Sequence, residues 1–415
     1  MALLQCQPNG ECVNAVLNKR VVLGVAGSIA SYKTIELARQ WTTAGAAVDV
    51  ILTDEATRFV APLTFQSLTY RPVYTEMWST LENAAAHVKL GEDADVVVIA
   101  PATAHTLASI VAGLADNMIL TTVLATRAPI MLVPAMNVNM WHNVATQHNV
   151  ATLRDRGLYV MEPDDGMLAS GIVGKGRFPD IGRIDGELRA LLGRHHGHMR
   201  GRKVVITAGP THEPLDPIRF IGNRASGQMG YALATAARDE GAQVTLISGP
   251  TALAAPAAVQ MVHVETAQQM HDAVHAAIGG ADLLIMNAAV ADYRPAQQHR
   301  HKIKKTNTAL TLELERTVDI LQSLHDVAEP IKVGFAAETD DLLRYAADKL
   351  DRKNLDFIVA NDAAQSIGQP DIALTMIDAD GQHTSLPRQP KAAAAAQMLA
   401  HIVQRWSARV GSQIH

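Results

Sequence analysis

The chain has 415 residues, more than one hydrophobic core ordinarily serves, so two domains are expected. Hydrophobic residues make up 48% and charged residues 19%, which excludes a disordered chain, and a formal net charge of −5 excludes a general nucleic-acid binder with a broad basic face. The 2 cysteines, Cys6 and Cys12, leave no disulfide framework, so a reducing compartment, the cytoplasm, is expected.

Residues 1–18 lack a basic segment followed by an apolar run and read as a flexible extension, not a signal peptide. Strands are predicted at 20–25, 47–52, 96–100 and 130–133, with a helix over 31–43. The long apolar stretch 96–115 carries Pro101, Thr103, His105 and Thr106, which fits a buried strand and helix rather than a membrane span. The pattern breaks at 191–201, a glycine- and histidine-rich segment read as a solvated linker rather than a metal site. It separates a first domain, 19–190, from a second, 202–415. The second predicts strands at 204–207, 243–247, 283–286, 333–335 and 357–360, a helix over 227–240, a hairpin from 372–378 to 384–386, and a final helix over 392–409. Strands alternating with helices predict two doubly wound, Rossmann-like, three-layer α/β domains. No sequence repeat relates them.

In the first domain Gly24-Val-Ala-Gly27-Ser28-Ile-Ala30 lies between a strand and a helix, where small residues let backbone N–H groups and a hydroxyl approach a phosphate. The turn alone does not decide between a phosphate site and an ordinary α/β turn, because the third glycine of the dinucleotide fingerprint is missing. Further along come Ala86-His87-Val-Lys-Leu, Ala100-Pro-Ala-Thr-Ala, Gly113-Leu-Ala-Asp-Asn117 and Pro134-Ala-Met-Asn137-Val-Asn-Met-Trp141. In this order, over roughly residues 19–185, the motifs resemble the homo-oligomeric flavin-containing cysteine decarboxylases.

That resemblance implies a flavodoxin-like domain that binds FMN through Gly27, Ser28, Thr53, Thr103, Thr106, Asn117 and Ala135. His87 would be the catalytic base, Asn137 would hold the substrate carboxylate, and the site would form between subunits of a trimer or larger oligomer. His105 is read as lining or packing, and Met136 and Met140 as core or lining. The chemistry is coherent: oxidising the thiol carbon first creates an electron sink for the decarboxylation that follows. One residue departs from the family. Its substrate loop reads Ala-Cys-Gly, the cysteine protonating the enethiol in the final reduction, whereas this chain reads Leu168-Ala169-Ser170-Gly171 and on to Arg177. A serine hydroxyl is a far weaker acid than a thiol. Either reduction here uses another donor, with water and Lys175 as candidates, or it runs slowly, or serine is simply tolerated.

In the second domain, Thr207-Ala-Gly-Pro-Thr-His-Glu-Pro-Leu-Asp216-Pro-Ile-Arg219 leads to Ile221-Gly-Asn223-Arg-Ala-Ser226-Gly227-Gln-Met-Gly230. Asn287 to Asp292, Lys302-Ile-Lys304-Lys305, Gly334-Phe335, Lys349 to Lys353 and Ala360-Asn361-Asp362 follow. Together they resemble phosphopantothenate–cysteine ligase over roughly residues 200–407. In bacteria that activity is fused behind the decarboxylase and uses CTP, although no residue here shows a base preference.

The resemblance implies that 4′-phosphopantothenate is activated by CTP as an acyl-cytidylate and joined to L-cysteine, and that the product is then decarboxylated to 4′-phosphopantetheine. Asp292 would meet the nucleotide and its Mg²⁺. Met286, Asn287, Ala288, Val318, Asp319, Ile320, Leu321, Phe335, Lys349 and Lys353 would contact the nucleotide. Lys302 would serve both nucleotide binding and the second step, with Asn223, in a ligase domain expected to dimerise. Ammonium groups and a divalent cation suit a departing pyrophosphate. Ala225 and Gln228 replace a usual serine and lysine, and Val318 a proline. Two readings compete with this one: an active ligase carrying an impaired flavin-binding scaffold, because of Ser170, and a nicotinamide-dependent reductase, disfavoured by the incomplete glycine fingerprint.

Overall fold

Five consecutive apolar or small residues follow Arg20, and the run Arg20–Val25 forms the central strand β1 of a parallel sheet. A computed structural model describes residues 15–77, 85–305, 309–338, 342–362, 366 and 368–412. They divide into two units, one ending at His195 and one beginning at His196.

In the first unit β1 is joined by β2 (Ala47–Leu52), β3 (Val73–Tyr74), β4 (Val96–Ala102), β5 (Ile130–Pro134) and β6 (Tyr159–Val160), all parallel, in the order β3-β2-β1-β4-β5-β6. Successive strand residues face opposite ways. Val21, Leu23 and Val25 enter one core with Val96, Val98 and Ala100, while Val22 enters another with Val97 and Ile99. Both faces are covered, as the three-layer expectation requires. The order 3-2-1-4-5-6 is that of the dinucleotide-binding folds, in keeping with the Rossmann-like expectation, and differs from the 2-1-3-4-5 order of flavodoxin.

The sequence-predicted limits change at both ends of this unit. Residues 1–14 lie outside the described residues. The rest of the segment read as an extension is a turn whose Val16 is fully buried and whose Asn18 N–H bonds Gly45 O. The segment 191–201 is not an unpacked linker. Helix Ile181–His196 buries Ile184, Leu188, Leu191 and Leu192 at helical spacing in the first core, and Trp41 Nε1–H bonds Asp185 on it at 3.1 Å. Met199 is buried in the second unit's core. Gly and His clustered here mask an amphipathic pattern. An antiparallel hairpin of β7 (Asp164–Met167) and β8 (Val173–Arg177) adds to the predicted elements.

The second unit starts with β9 (Lys203–Ala208), followed by a short hairpin of β10 (His212–Pro214) and β11 (Phe220–Gly222). Then come β12 (Gln243–Ser248), β13 (Gln260–His263) and β14 (Leu283–Met286), and a second short pair of β15 (Tyr293–Pro295) and β16 (Leu314–Arg316). The chain continues through β17 (Ile331–Glu338), β18 (Phe357–Asp362), β19 (Asp371–Asp378) and β20 (His383–Pro390). The main sheet has 8 strands ordered β13-β12-β9-β14-β17-β18-β19-β20, the last two antiparallel as the predicted hairpin. Its parallel part repeats the 3-2-1-4-5-6 order of the first unit, although no repeat is visible between the sequences. In both units the order reverses beside the first strand, and such a switch point opens a crevice at the strands' carboxyl ends.

Candidate active sites

The first unit's crevice is a cavity of about 940 Å³. Gly27, Ser28, Thr53, Thr103, Thr106, Asn117 and Ala135, the residues expected around a flavin, all line it. Local chemistry explains how they come to point inward. Thr53, Thr103 and Asn117 are the N-caps of helices Asp54–Thr57, Ala104–Ala112 and Met118–Ala125, with side-chain oxygens accepting from Ala56 N, Thr106 N and Leu120 N at 3.2, 3.2 and 3.0 Å. Thr103 and Thr106 hydroxyls lie 3.0 Å apart, and Ser28 Oγ accepts from Ala30 N at 3.3 Å, just before helix Ser31–Thr43. Several helix N-termini thus turn their positive ends toward one space. Gly27 is required by its neighbour: a Cβ there would stand 2.3 Å from Glu55 Cβ. The volume and the donor set fit a flat aromatic group carrying an anionic tail.

Leu52, Asp54, Glu55, Thr75, Glu76, Met77, Asp116, Met118, Ile119 and Leu120 also line the cavity and escape the sequence reading. Adjacency to the capping residues points to most of them, but Thr75, Glu76 and Met77 follow β3, far in sequence from any cap. His105, Met136 and Met140 line it as well, so for His105 the lining reading applies.

The three residues expected to do the decarboxylation chemistry do not line this cavity. His87 sits in the first turn of helix Ala86–Asp93, and its buried Nδ1 has no hydrogen-bond partner among the described residues. Asn137 caps helix Val138–His142 by accepting from Asn139 N at 2.9 Å, directly after the lining residues Ala135 and Met136. Ser170 is exposed in the β7–β8 turn. That hairpin is seated on the Asn137 segment: Met136 N–H bonds Gly176 O at 3.0 Å, and a Cβ on Gly176 would meet Met136 O at 2.4 Å. Lys175, the candidate replacement acid, pairs with Glu162 at 2.5 Å. Burial raises the Glu162 carboxyl, but Lys175 and Arg154 outweigh it and hold the group below its ordinary value.

In the second unit the predicted nucleotide residues gather at the ends of neighbouring strands. Met286 ends β14 opposite Gly334 of β17, next to Phe335. Asn287 and Ala288 follow β14, with Ala288 N–H held by Thr207 Oγ1 at 3.1 Å. Asp319 caps helix Ile320–Ser323, accepting from Gln322 N at 3.0 Å, and Leu321 packs with Ala288 against one core. From helix Leu342–Arg352 and the residue after it, Lys349 reaches Phe335 O at 2.8 Å, while Lys353, itself buried, pairs with Asp319 and reaches Gln322 Oε1 at 3.2 Å. Burial raises the Asp319 carboxyl, but the Lys353 ammonium and the Gln322 N–H bring it below its ordinary value. Val318 precedes this cap, half-buried.

Asn223 follows β11 and donates to Ala289 O and Val290 O at 3.3 and 3.1 Å, which ties its loop to the one after β14. Asp292 is exposed at the end of that loop, its backbone O accepting from Thr317 N. No group of three or more His, Cys, Asp or Glu side chains gathers among the described residues. A single carboxylate beside a polyphosphate is nevertheless a donor set that Mg²⁺ accepts. Lys302 is exposed and lines neither the 940 Å³ cavity nor a 300 Å³ cavity bounded by Gln228, Tyr231 and Leu253. Gln228, a departure from the ligase pattern, accepts from Lys391 Nζ at 3.2 Å. No helix among the described residues is long and apolar enough to cross a membrane.

Comparison with known proteins finds two families, one over each half of the chain. The family described as Flavoprotein matches residues 13–193, and that described as DNA/pantothenate metabolism flavoprotein C-terminal domain matches residues 199–405. The coenzyme A biosynthesis bifunctional protein CoaBC of Bacillus subtilis (strain 168) is 43% identical over 385 residues, which is 90% of this chain and 94% of that protein. Its counterpart in Vibrio cholerae serotype O1 is 42% identical over 399 residues, 94% of this chain and 99% of that one. A crystal structure of the C-terminal domain of CoaBC is 42% identical, covers 51% of this chain and 98% of its own, and superposes with a TM-score of 0.45. Matched nearly end to end at this identity, the chain belongs to the family of bifunctional coenzyme A biosynthesis proteins CoaBC and is an enzyme with ligase and decarboxylase activities.

Proposed function

We propose that the second unit joins 4′-phosphopantothenate to L-cysteine at the expense of CTP, through an acyl-cytidylate, and that the first unit converts the product to 4′-phosphopantetheine with FMN. The observation that carries the reading is the 940 Å³ cavity, whose wall contains each residue expected to contact a flavin. When bound there, FMN would supply the two-electron acceptor that makes loss of CO₂ feasible. Ser28, Thr53, Thr103, Thr106 and Asn117 would hold it by hydroxyl, amide and helix N–H groups, with Ala135 against the ring. His87, whose ring nitrogen lacks a protein partner among the described residues, is suited to take a proton from substrate. Asn137 is suited to orient the substrate carboxylate. His87 and Ser170 lie off the cavity of their own chain, which supports a site completed across subunits of a homo-oligomer.

In the ligase, Lys302, Lys349 and Lys353 would neutralise the triphosphate, and Asp292 would share Mg²⁺ with it. Met286, Asn287, Ala288, Val318, Asp319, Ile320, Leu321 and Phe335 would form the nucleotide's bed. Asn223 would orient the acyl-cytidylate for attack by the cysteine amine.

A second reading keeps the ligase and makes the flavin half a slow or impaired decarboxylase. One observation favours it: Lys175, the side chain nearest in sequence that could replace the missing cysteine as an acid, is already paired with Glu162. Mass analysis of products from phosphopantothenate, CTP, Mg²⁺ and cysteine separates the readings. Accumulation of phosphopantetheine supports the full sequence. Phosphopantothenoylcysteine or the unsaturated enethiol alone supports the impaired half, and neither product refutes both.

A further inference from the structure

Asp216 lies in the loop between β10 and β11 and belongs to no step described above. It is 2% exposed, yet its carboxylate is fully engaged. Oδ1 accepts from Ile218 N and Arg219 N, each at 2.9 Å. Oδ2 accepts from Arg219 Nε at 2.9 Å and from its terminal nitrogen at 2.5 Å. Oδ2 also accepts from Ile303 N at 3.1 Å, a residue 87 positions away. Arg219 closes the ring by donating to Ile303 O at 2.8 Å. One buried carboxylate and its arginine therefore grip both backbone groups of Ile303. Arg219 and these N–H donors hold the Asp216 carboxyl well below the usual carboxylate range, so it is ionised throughout the working range of the enzyme.

Ile303 is the residue between Lys302 and Lys304. The segment 300–305 has no helix or strand, and Arg300, His301, Lys302, Lys304 and Lys305 are all exposed. Such a run of like charges repels itself and orders poorly without an anchor. Among the described residues this segment is anchored by the tether at Ile303 and, just before it, by His299 N–H on Leu215 O at 3.0 Å. The same loop leads through β11 to Asn223. We infer that Asp216 is a positioning residue: through Arg219 and Ile303 it sets where Lys302 stands relative to Asn223 when the nucleotide arrives. This rests on the nucleotide role of Lys302 proposed above.

The test uses the full-length protein carrying Asp216→Asn, with Arg219→Lys as a second variant, should the first not fold, that keeps a cation beside the carboxylate but loses the guanidinium fork donating to Ile303 O. Limited trypsin digestion reads loop order directly: cleavage after Lys302 and Lys304 should accelerate about tenfold, while the melting temperature of the second unit changes little. Ligase kinetics read the consequence. Partial loss of folded enzyme lowers kcat alone, whereas a displaced Lys302 raises the KM for CTP, here by about tenfold. Decarboxylation of supplied phosphopantothenoylcysteine should not change. Unaltered cleavage and an unaltered KM for CTP in both variants would overturn the inference. Lys302→Ala in the native background isolates the reading beneath it. If that variant ligates normally, Lys302 has no nucleotide role, while the cleavage result still decides whether Asp216 holds the loop.

Discussion

The two candidate sites occupy the same place in the same strand order but are built differently. In the first unit the wall is made of helix starts: Thr53, Thr103 and Asn117 are fixed as N-caps, and the backbone N–H groups around them are oriented by the helices themselves. Such a site needs little rearrangement to receive an anionic, aromatic group. In the second unit the charge resides on long side chains, and these already have partners in the protein, Lys349 on Phe335 O and Lys353 on Asp319. An incoming polyphosphate must compete for them. A site of capped helices suits a group that stays; a rack of lysines suits anions that enter and leave.

Substitutions that erase one kind of construction should leave the other untouched. The largest effect is expected from Gly27→Val, which forces the β1 turn off Glu55: flavin absorbance and decarboxylation should fall by roughly a hundredfold with ligation intact. Unchanged flavin content in the purified variant would break the comparison. Lys353→Met should raise the KM for CTP by about tenfold and leave flavin absorbance alone. It also has a pH signature. Asp319 is held below its ordinary value, so its pairing is complete above the ordinary carboxylate range and is lost only as pH falls through the lower folded value. Without Lys353 the acid limb of ligase activity should move to higher pH. Asn117→Ala removes a cap at a cost of about 1 kcal/mol and should weaken flavin retention about fivefold, measured by dialysis. Ser170→Cys should have the smallest effect, a change of a few-fold in the yield of saturated thiol, because the residue sits in an exposed turn. If native and variant enzymes release it equally fast, serine is sufficient.

Part of the fold is legible in the chain itself. The alternation of buried runs with helical spacing predicts the inner parallel strands, because a strand covered on both faces must be apolar throughout, as 96–102 is, but it misses the short edge strands β3, β6 and β13. Thr53, Thr103 and Asn117 enter only through the resemblance to the flavin-containing decarboxylases; that they are helix caps is seen in the structure. The short pairs β7–β8, β10–β11 and β15–β16 are not legible, since each is only three to five residues long and polar or glycine-containing. The helical end at 191–196 stays hidden because glycine and histidine obscure the Leu188, Leu191, Leu192 face.

By itself the sequence determined the two-unit α/β plan, through composition and periodicity, and the family, through the resemblance its ordered motifs carry. Only the tertiary structure decided the strand order, the cavity that gathers Gly27, Thr53, Thr103 and Asn117, and the grip of Asp216 on Ile303 across 87 positions. The physical reason is range: a cap or a strand is settled among neighbours, whereas a buried carboxylate selects its partners from whatever the folded chain brings within about 3 Å.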